Sequence, residues 1–455
     1  MIKKIHFIAI GGSAMHSLAI EMLRKGYEVS GSDDVIYEPA KSNLKNAGIF
    51  PENTGWFPEK ISSKIDLIIL GMHAKKDNLE LEKAQSLRLP IKSYPEFISS
   101  LSLNKTRIVI SGSHGKTSIS TMILHVMKYN NIQIDYIIGA PIQGSNETIS
   151  LKDENNFILI EGDEYLSSAI DSKSKFLWYN PQIAIINGIL WDHVNVFPTL
   201  ELYSEQFKKF ILSISEGGVL FYNSLDKRLV ELVEKTIHPI KKIPYDIPKN
   251  EIYDGVTYIE SLEGKIKLNC FGEHNLVNLE GARWVSQLMG INEVDFFQAI
   301  HSFKGASGRL ECIAKGKTSF LYKDFAHSPS KVKATKDAVI NQFSNYRIVV
   351  CYELHTYSSL ELTFLKNYSN TLNDIDKTIV FYSAKVLKQK NREIISSDQI
   401  KRSFNNERIK VITSSIELYE NLINDDYFNT IVLMMSSDNF GGFNYRKFKS
   451  HIENF

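Results

Sequence analysis

Six consecutive residues, Gly112-Ser113-His114-Gly115-Lys116-Thr117, carry the parts of a phosphate-binding site. Glycine lets the backbone turn its N–H groups toward an anion, and the helix that follows adds the positive potential of its N-terminus. Lys116 can reach terminal phosphates and the Thr117 hydroxyl suits Mg²⁺, so the implied ligand is a nucleoside triphosphate with Mg²⁺. The spacing G-x-x-G-K-T, with Ser113 and His114 in the variable places, is tighter than the general G-x-x-x-x-G-K-[ST] loop, and this shortened form marks few families. Two further clusters follow apolar, strand-like runs: Glu161-Gly162-Asp163-Glu164-Tyr165 after Phe157–Ile160, and Trp191-Asp192-His193 after Ile183–Asn187. Ligands of open α/β sheets bind beyond the carboxyl ends of strands, so these groups are placed to converge on the phosphate loop. Glu164 and His193 join Thr117 as the candidate Mg²⁺ ligands, the carboxylate being the more natural partner for a hard cation.

A second glycine turn, Gly11-Gly12, ends the run Ile8-Ala9-Ile10, and Ser32-Asp33 follows the strand-like Tyr27–Ser30. A dinucleotide fingerprint needs glycines at relative positions one, three and six, but Ser13 and His16 occupy the later two places, which disfavours NAD. Gly12 still permits close approach to a diphosphate and Asp33 can accept from a ribose hydroxyl. The turn is therefore read as a site for another nucleotide diphosphate, such as a UDP-sugar, with Gly11, Gly12, Ser32 and Asp33 as the contacts.

The elements that must hold these residues are strand-like runs alternating with helical patterns. Ile5–Ile10, Asp66–Leu70, Arg107–Ser111, Phe157–Ile160, Ile183–Asn187, Tyr346–Cys351, Lys377–Tyr382 and Asn429–Met434 point to βαβ units and mainly parallel sheets, an α/β fold. A chain of 455 residues exceeds one ordinary core. Polar passages at Asn104-Lys105-Thr106 and Lys304–Arg309 divide it into expected domains 1–104, 105–308 and 309–455. Lys plus Arg number 53 against 52 Asp plus Glu, which gives no basic field for nucleic acid or an anionic membrane. The three cysteines are far apart and form no C-x-x-C, which disfavours a disulfide framework or thiolate zinc site. With no cleavage-site pattern at the N-terminus and no apolar run of membrane-spanning length, the expected location is cytoplasmic.

Taken together, these residues resemble the Mur ligase family, the ATP-dependent ligases that build the peptide of peptidoglycan. The resemblance spans the chain in order and adds Gly272-Glu273-His274-Asn275-Leu276-Val277-Asn278, Gly308-Arg309-Leu310-Glu311 and Asp324-Phe325-Ala326-His327-Ser328-Pro329. It implies three domains: a Rossmann-like one for the UDP-sugar, a central phosphate-loop ATPase, and a C-terminal Rossmann-like one that receives the amine. It implies that Lys116 stabilises the transferring phosphate, that Asn275 and Asn278 face the adenine region, that Arg309 and Asp324 complete the ATP site, and that His327 lies near the reacting groups. Relatives that add later residues use a carbamylated lysine where Phe207 stands, which points to the branch acting on UDP-N-acetylmuramate itself. Within that branch, the segments 11–15, 32–39 and 162–176 look like the recycling ligase that adds an intact L-alanyl-γ-D-glutamyl-meso-diaminopimelate tripeptide. Glu353-Leu354-His355-Thr356-Tyr357-Ser358 looks more like the L-alanine-adding enzyme. Gly308 and Ser328 depart from the family's arginine and histidine, the only support for a nucleotide-binding regulator that has lost ligation.

Overall fold

The structure, a computed structural model, describes residues 2–141, 147–191, 196–389 and 394–455. Strands β1 (Lys4–Ile8), β2 (Glu28–Ser32), β3 (Leu67–Leu70) and β4 (Ile91–Ser93) form a parallel sheet in the order β2-β1-β3-β4. The first strand stops two residues short of its apolar run. Ala9 turns to a positive φ of 68°, and the N–H groups of Ala9 and Ile10 both donate to the Ser32 carbonyl at 2.9 and 3.1 Å.

Strands β5 (Thr106–Ser111), β6 (Asp135–Ile137), β7 (Ile149–Ser150), β8 (Phe157–Gly162), β9 (Leu166–Ser168), β10 (Asp171–Ser174), β11 (Ile183–Ile186), β12 (Val219–Asn223) and β13 (Lys241–Tyr245) follow. Seven of them make a sheet in the order β13-β12-β11-β5-β8-β6-β7, and β9 with β10 forms a separate two-stranded ribbon. The pairings are parallel except for β6 with β7. The central strands are unbroken apolar runs because both faces are covered: Ile183 to Ile186 are all buried, as are Ile108, Val109 and Ile110. From β5 the chain crosses to β6 on one side and later returns to β11 on the other, so the crevice of an open α/β sheet opens at the end of β5.

The antiparallel strands β14 (Asn250–Tyr253), β15 (Val256–Ser261) and β16 (Gly264–Leu268) form a small meander. The last sheet holds β17 (Glu311–Lys315), β18 (Ser319–Asp324), β19 (Arg347–Glu353), β20 (Lys377–Phe381), β21 (Lys410–Ile412) and β22 (Thr430–Met435), ordered β17-β18-β22-β19-β20-β21 with only β17 antiparallel. Internal contacts divide the chain into two compact units. The first runs from the N-terminus to Asp246 and includes Asn278–Asn292; the second comprises Ile247–Val277 and Glu293–Phe455. The first two sheets share one unit, tied by Arg24 to Glu147 at 2.7 Å and by the Glu21 carboxylate accepting from the Leu151 N–H at 2.8 Å. Residues of the segment 105–308 contribute to both units. Among the described residues no helix is long and apolar enough to cross a membrane.

Candidate active site

The phosphate loop leaves β5 and enters the helix Lys116–Tyr129, whose N-cap is Gly115. Gly112 and Gly115 take φ of 125° and 79°, which side chains rarely adopt. Space enforces the same choice: a Cβ on Gly115 would lie 2.1 Å from Asn187 Nδ2 and 2.3 Å from Asn278 Oδ1, and one on Gly112 would lie 2.9 Å from the Asn187 nitrogen. Behind the loop, Asn187 Nδ2 donates to Asn278 Oδ1 at 2.8 Å and to the His114 carbonyl at 3.2 Å. The Tyr245 hydroxyl donates to Asn187 Oδ1 at 2.7 Å. Ser113 is held by its N–H donating to the Gly188 carbonyl at 2.9 Å, and its hydroxyl accepts from the Leu190 N–H at 3.0 Å. The His114 ring lies against Gly188, where a Cβ would come within 2.3 Å of it.

On the opposite side β8 delivers its carboxylates, with Glu161 in register with Ile110. Lys116 Nζ donates to the Gly112 carbonyl at 2.6 Å and to Glu164 Oε2 at 3.0 Å. Burial weighs most against its charge, but Glu164, Asp163 and Glu161 together outweigh it and raise the lysine pKa. The Thr117 hydroxyl donates to Glu161 Oε2 at 3.1 Å. Thr117, Glu161 and Glu164 thus present oxygen atoms around one lysine beside an open helix N-terminus, a donor set that fits Mg²⁺ bound together with a phosphate chain. His193, and Asp192 beside it, lie outside the described residues. The sequence pattern points to Glu164 rather than Glu161 as a ligand, and marks Asn187 only as the end of a strand. A polar residue closing an all-apolar strand was the available signal.

The two helix asparagines part company. Asn278 backs the phosphate loop, whereas Asn275 donates to the Phe271 carbonyl at 2.9 Å within its own turn.

At the first glycine turn, Asp33 Oδ2 accepts from the Gly11 N–H at 2.7 Å, so one carboxylate oxygen is committed to the turn itself. Burial, above its neighbours' effects, pushes the Asp33 pKa up to about 6. Ser32 is fully buried and its carbonyl receives the turn. Gly12 has a negative φ of −58° as N-cap of the helix Ser13–Arg24.

In the second unit, Asp324 is buried and works on backbone. Its Oδ2 accepts from the Leu310 N–H and its Oδ1 from the Ala326 N–H, both at 2.6 Å, with the Thr335 hydroxyl on Oδ1 at 3.2 Å. This staples the segment after Arg309 to the segment before His327. The Arg309 guanidinium sits over the Phe325 ring at 4.4 Å, and that ring meets His327 edge-on at 5.2 Å. Phe325, to which the motif assigns no role, is therefore the surface that joins Arg309 to His327. Further along the same unit, Glu353 at the end of β19 accepts from the Ser436 hydroxyl and from the Phe440 N–H, and burial pushes its pKa up to about 7. His355 Nδ1 lies 3.5 Å from Asp438 Oδ2 beside it.

Two family models match this chain, the Mur ligase family catalytic domain over residues 4–106 and the Mur ligase middle domain over residues 110–285. The UDP-N-acetylmuramate–L-alanine ligase of Caldicellulosiruptor bescii is 31% identical over 414 residues, covering 87% of each chain. The chain belongs to the Mur ligase family. As a Mur ligase it is an ATP-dependent, ADP-forming acid–amino acid ligase that uses ATP with Mg²⁺. Its fold is that of the three-domain Mur ligases: the UDP-N-acetylmuramate-alanine ligase of Thermotoga maritima superposes with a TM-score of 0.72 at 20% identity over 96% of each chain. The UDP-N-acetylmuramate:L-alanyl-γ-D-glutamyl-meso-diaminopimelate ligase of Neisseria meningitides is 26% identical, with a TM-score of 0.60 over 67% of this chain and 99% of that one.

Proposed function

We propose that this Mur ligase joins the carboxylate of UDP-N-acetylmuramate to the amine of an L-alanyl-γ-D-glutamyl-meso-diaminopimelate tripeptide, as in the recycling of cell-wall peptides. The observation that carries this reading is the segment 162–176. It resembles the tripeptide-adding branch, and it also carries Glu164, ties Lys175 to Asp163 at 2.6 Å, and packs Phe176 on Phe207 and Phe210 of helix Leu200–Ser213. The Neisseria tripeptide ligase supports the same choice.

In this reading the UDP-sugar sits at the Gly11-Gly12 turn with Ser32 and Asp33, and ATP at Gly112–Thr117. The substrate carboxylate attacks the γ-phosphorus, ADP leaves, and an acyl phosphate forms. The amine then attacks the acyl carbon, inorganic phosphate leaves, and the amine gives up a proton. Thr117, Glu164 and Glu161, with His193 by resemblance, would hold Mg²⁺, which would supply charge neutralisation at the phosphates. Lys116 moves from Glu164 to the transferring phosphate, and the remaining catalysis is positioning. Arg309, Phe325 and His327 supply the cationic, aromatic face for the incoming groups, with Asp324 fixing the backbone that carries them. Asn275 and Asn278 belong to the helix that borders the adenine region.

The alternative acceptor, free L-alanine, is favoured by Glu353-Leu354-His355-Thr356-Tyr357-Ser358 and by the C. bescii relative. The two separate in one assay with ATP, Mg²⁺ and UDP-N-acetylmuramate. The tripeptide reading predicts a kcat/KM for tripeptide about tenfold or more above that for L-alanine, about 1.4 kcal/mol of differential transition-state binding. Equal or better use of L-alanine replaces the reading with the alternative. No ADP formation with either acceptor would favour the regulator.

A further inference from the structure

Glu164 is gripped from two sides, and the sequence announces only one of them. Its Oε2 faces Lys116, while its Oε1 accepts the Tyr203 hydroxyl at 2.8 Å. Tyr203 and Glu164 are both buried, at 0% and 1% exposure, so this bond forms where an unmet carboxylate oxygen is costly. The Tyr203 ring is fixed by its surroundings. Phe207 packs against it at 5.2 Å and Phe197 at 5.6 Å, and Phe176 continues the wall with Phe207 at 5.5 Å and Phe210 at 4.6 Å. The helix that carries it starts at a capped end, where the Thr199 hydroxyl accepts from the Leu202 N–H at 3.2 Å.

We propose that Tyr203 is a positioning residue for the metal-binding carboxylate. When Lys116 turns to a phosphate, its bond to Glu164 is given up, and the Tyr203 hydroxyl can keep its bond to Oε1. One oxygen held in an aromatic wall fixes the plane of the carboxylate and leaves the other directed at the phosphate loop, the kind of support that outer groups give to metal ligands. This inference rests on the reading that Glu164 helps hold Mg²⁺.

The test is Mn²⁺ binding to the full chain with ADP, followed by electron paramagnetic resonance, beside ADP binding without metal and thermal melting. Glu164→Gln should abolish the ADP-dependent Mn²⁺ site; if it binds Mn²⁺ as the wild type does, the reading of Glu164 falls and this inference with it. Tyr203→Phe should weaken Mn²⁺ binding about tenfold while metal-free ADP binding is unchanged. Phe210→Leu, which loosens the wall and keeps the hydroxyl, should lower the melting temperature without that loss. Wild-type Mn²⁺ affinity in Tyr203→Phe, or an equal loss in Phe210→Leu, overturns the positioning role and leaves the role of Glu164 standing. Should Tyr203→Phe not fold, 3-fluorotyrosine placed at position 203 gives the answer by fluorine NMR. Mg²⁺ with ADP should shift its resonance, and the shift should vanish with Glu164→Gln; an unmoved resonance overturns the proposal.

Discussion

The first unit contains two strand-to-helix glycine turns built with opposite electrostatics. At Gly11 the space beside the turn is filled by a carboxylate: Asp33 takes the Gly11 N–H, and a Cβ there would lie 2.9 Å from its Oδ2. At Gly115 the same space is filled by neutral amides, Asn187 and Asn278, and the nearest charge inside the loop is the Lys116 ammonium. A phosphate chain that gathers negative charge during transfer needs the second arrangement, because amide dipoles and a cation do not oppose it. A diphosphate that merely binds tolerates the first, especially where burial already favours the protonated carboxyl. The glycines alone do not distinguish a transfer site from a binding site; the side chains that close on them do.

The largest expected effect is at Lys116. Lys116→Ala should lower turnover about 10²-fold or more while UDP-N-acetylmuramate binding, measured by calorimetry, stays near wild type. Wild-type turnover would remove the lysine from the transfer step. Next comes the glycine contrast. Gly115→Ala meets both a positive φ and two amides within 2.3 Å, so it should lose ATP-analogue binding and about 1–3 kcal/mol or more of stability. Gly12→Ala meets nothing nearer than Met15 Cγ at 3.4 Å, an ordinary contact, and should melt within a few degrees of wild type. If the two variants behaved alike, Gly115 would not be enclosed as described.

The smallest effect is the pH dependence at Asp33. Its carboxyl is neutral below about pH 6 and charged above. UDP-sugar binding should therefore tighten as pH falls through 6, and Asp33→Asn should flatten that dependence. The raised pKa means this group favours the fold most when protonated, so its contribution is lost as pH rises from the ordinary 3.8 through about 6. Asp33→Asn should gain in melting temperature relative to wild type over that window. An unchanged pH profile in the variant would place the diphosphate elsewhere.

The parts of this molecule legible in the sequence were those fixed by neighbours along the chain. The apolar runs became strands because parallel strands buried on both faces need no alternation, and the phosphate loop became a turn into a helix because its glycines permit nothing bulkier. What was missed depends on distant packing. Glu161 and Tyr203 reach Thr117 and Glu164 only because β8 pairs with β5 and the aromatic wall brings helix Leu200–Ser213 against them. Asp324, which the resemblance gives to the ATP site, also holds the backbone at Leu310 and Ala326, a role that no spacing rule reveals. The hairpin β14–β15 is legible in Asp254-Gly255, whose φ of 48° and 70° make it the dipeptide a tight hairpin demands. The boundary at 308 followed composition, whereas contacts put residues 247–277 and 293–308 with the C-terminal sheet.

The claim that the two turns divide the two nucleotides is tested most directly by amide hydrogen exchange on the intact protein. A non-hydrolysable ATP analogue with Mg²⁺ should slow exchange across residues 112–117 and leave 11–14 unchanged, and UDP-N-acetylmuramate should do the reverse. Protection of the same turn by both ligands, or protection of 11–14 by the ATP analogue, would contradict it.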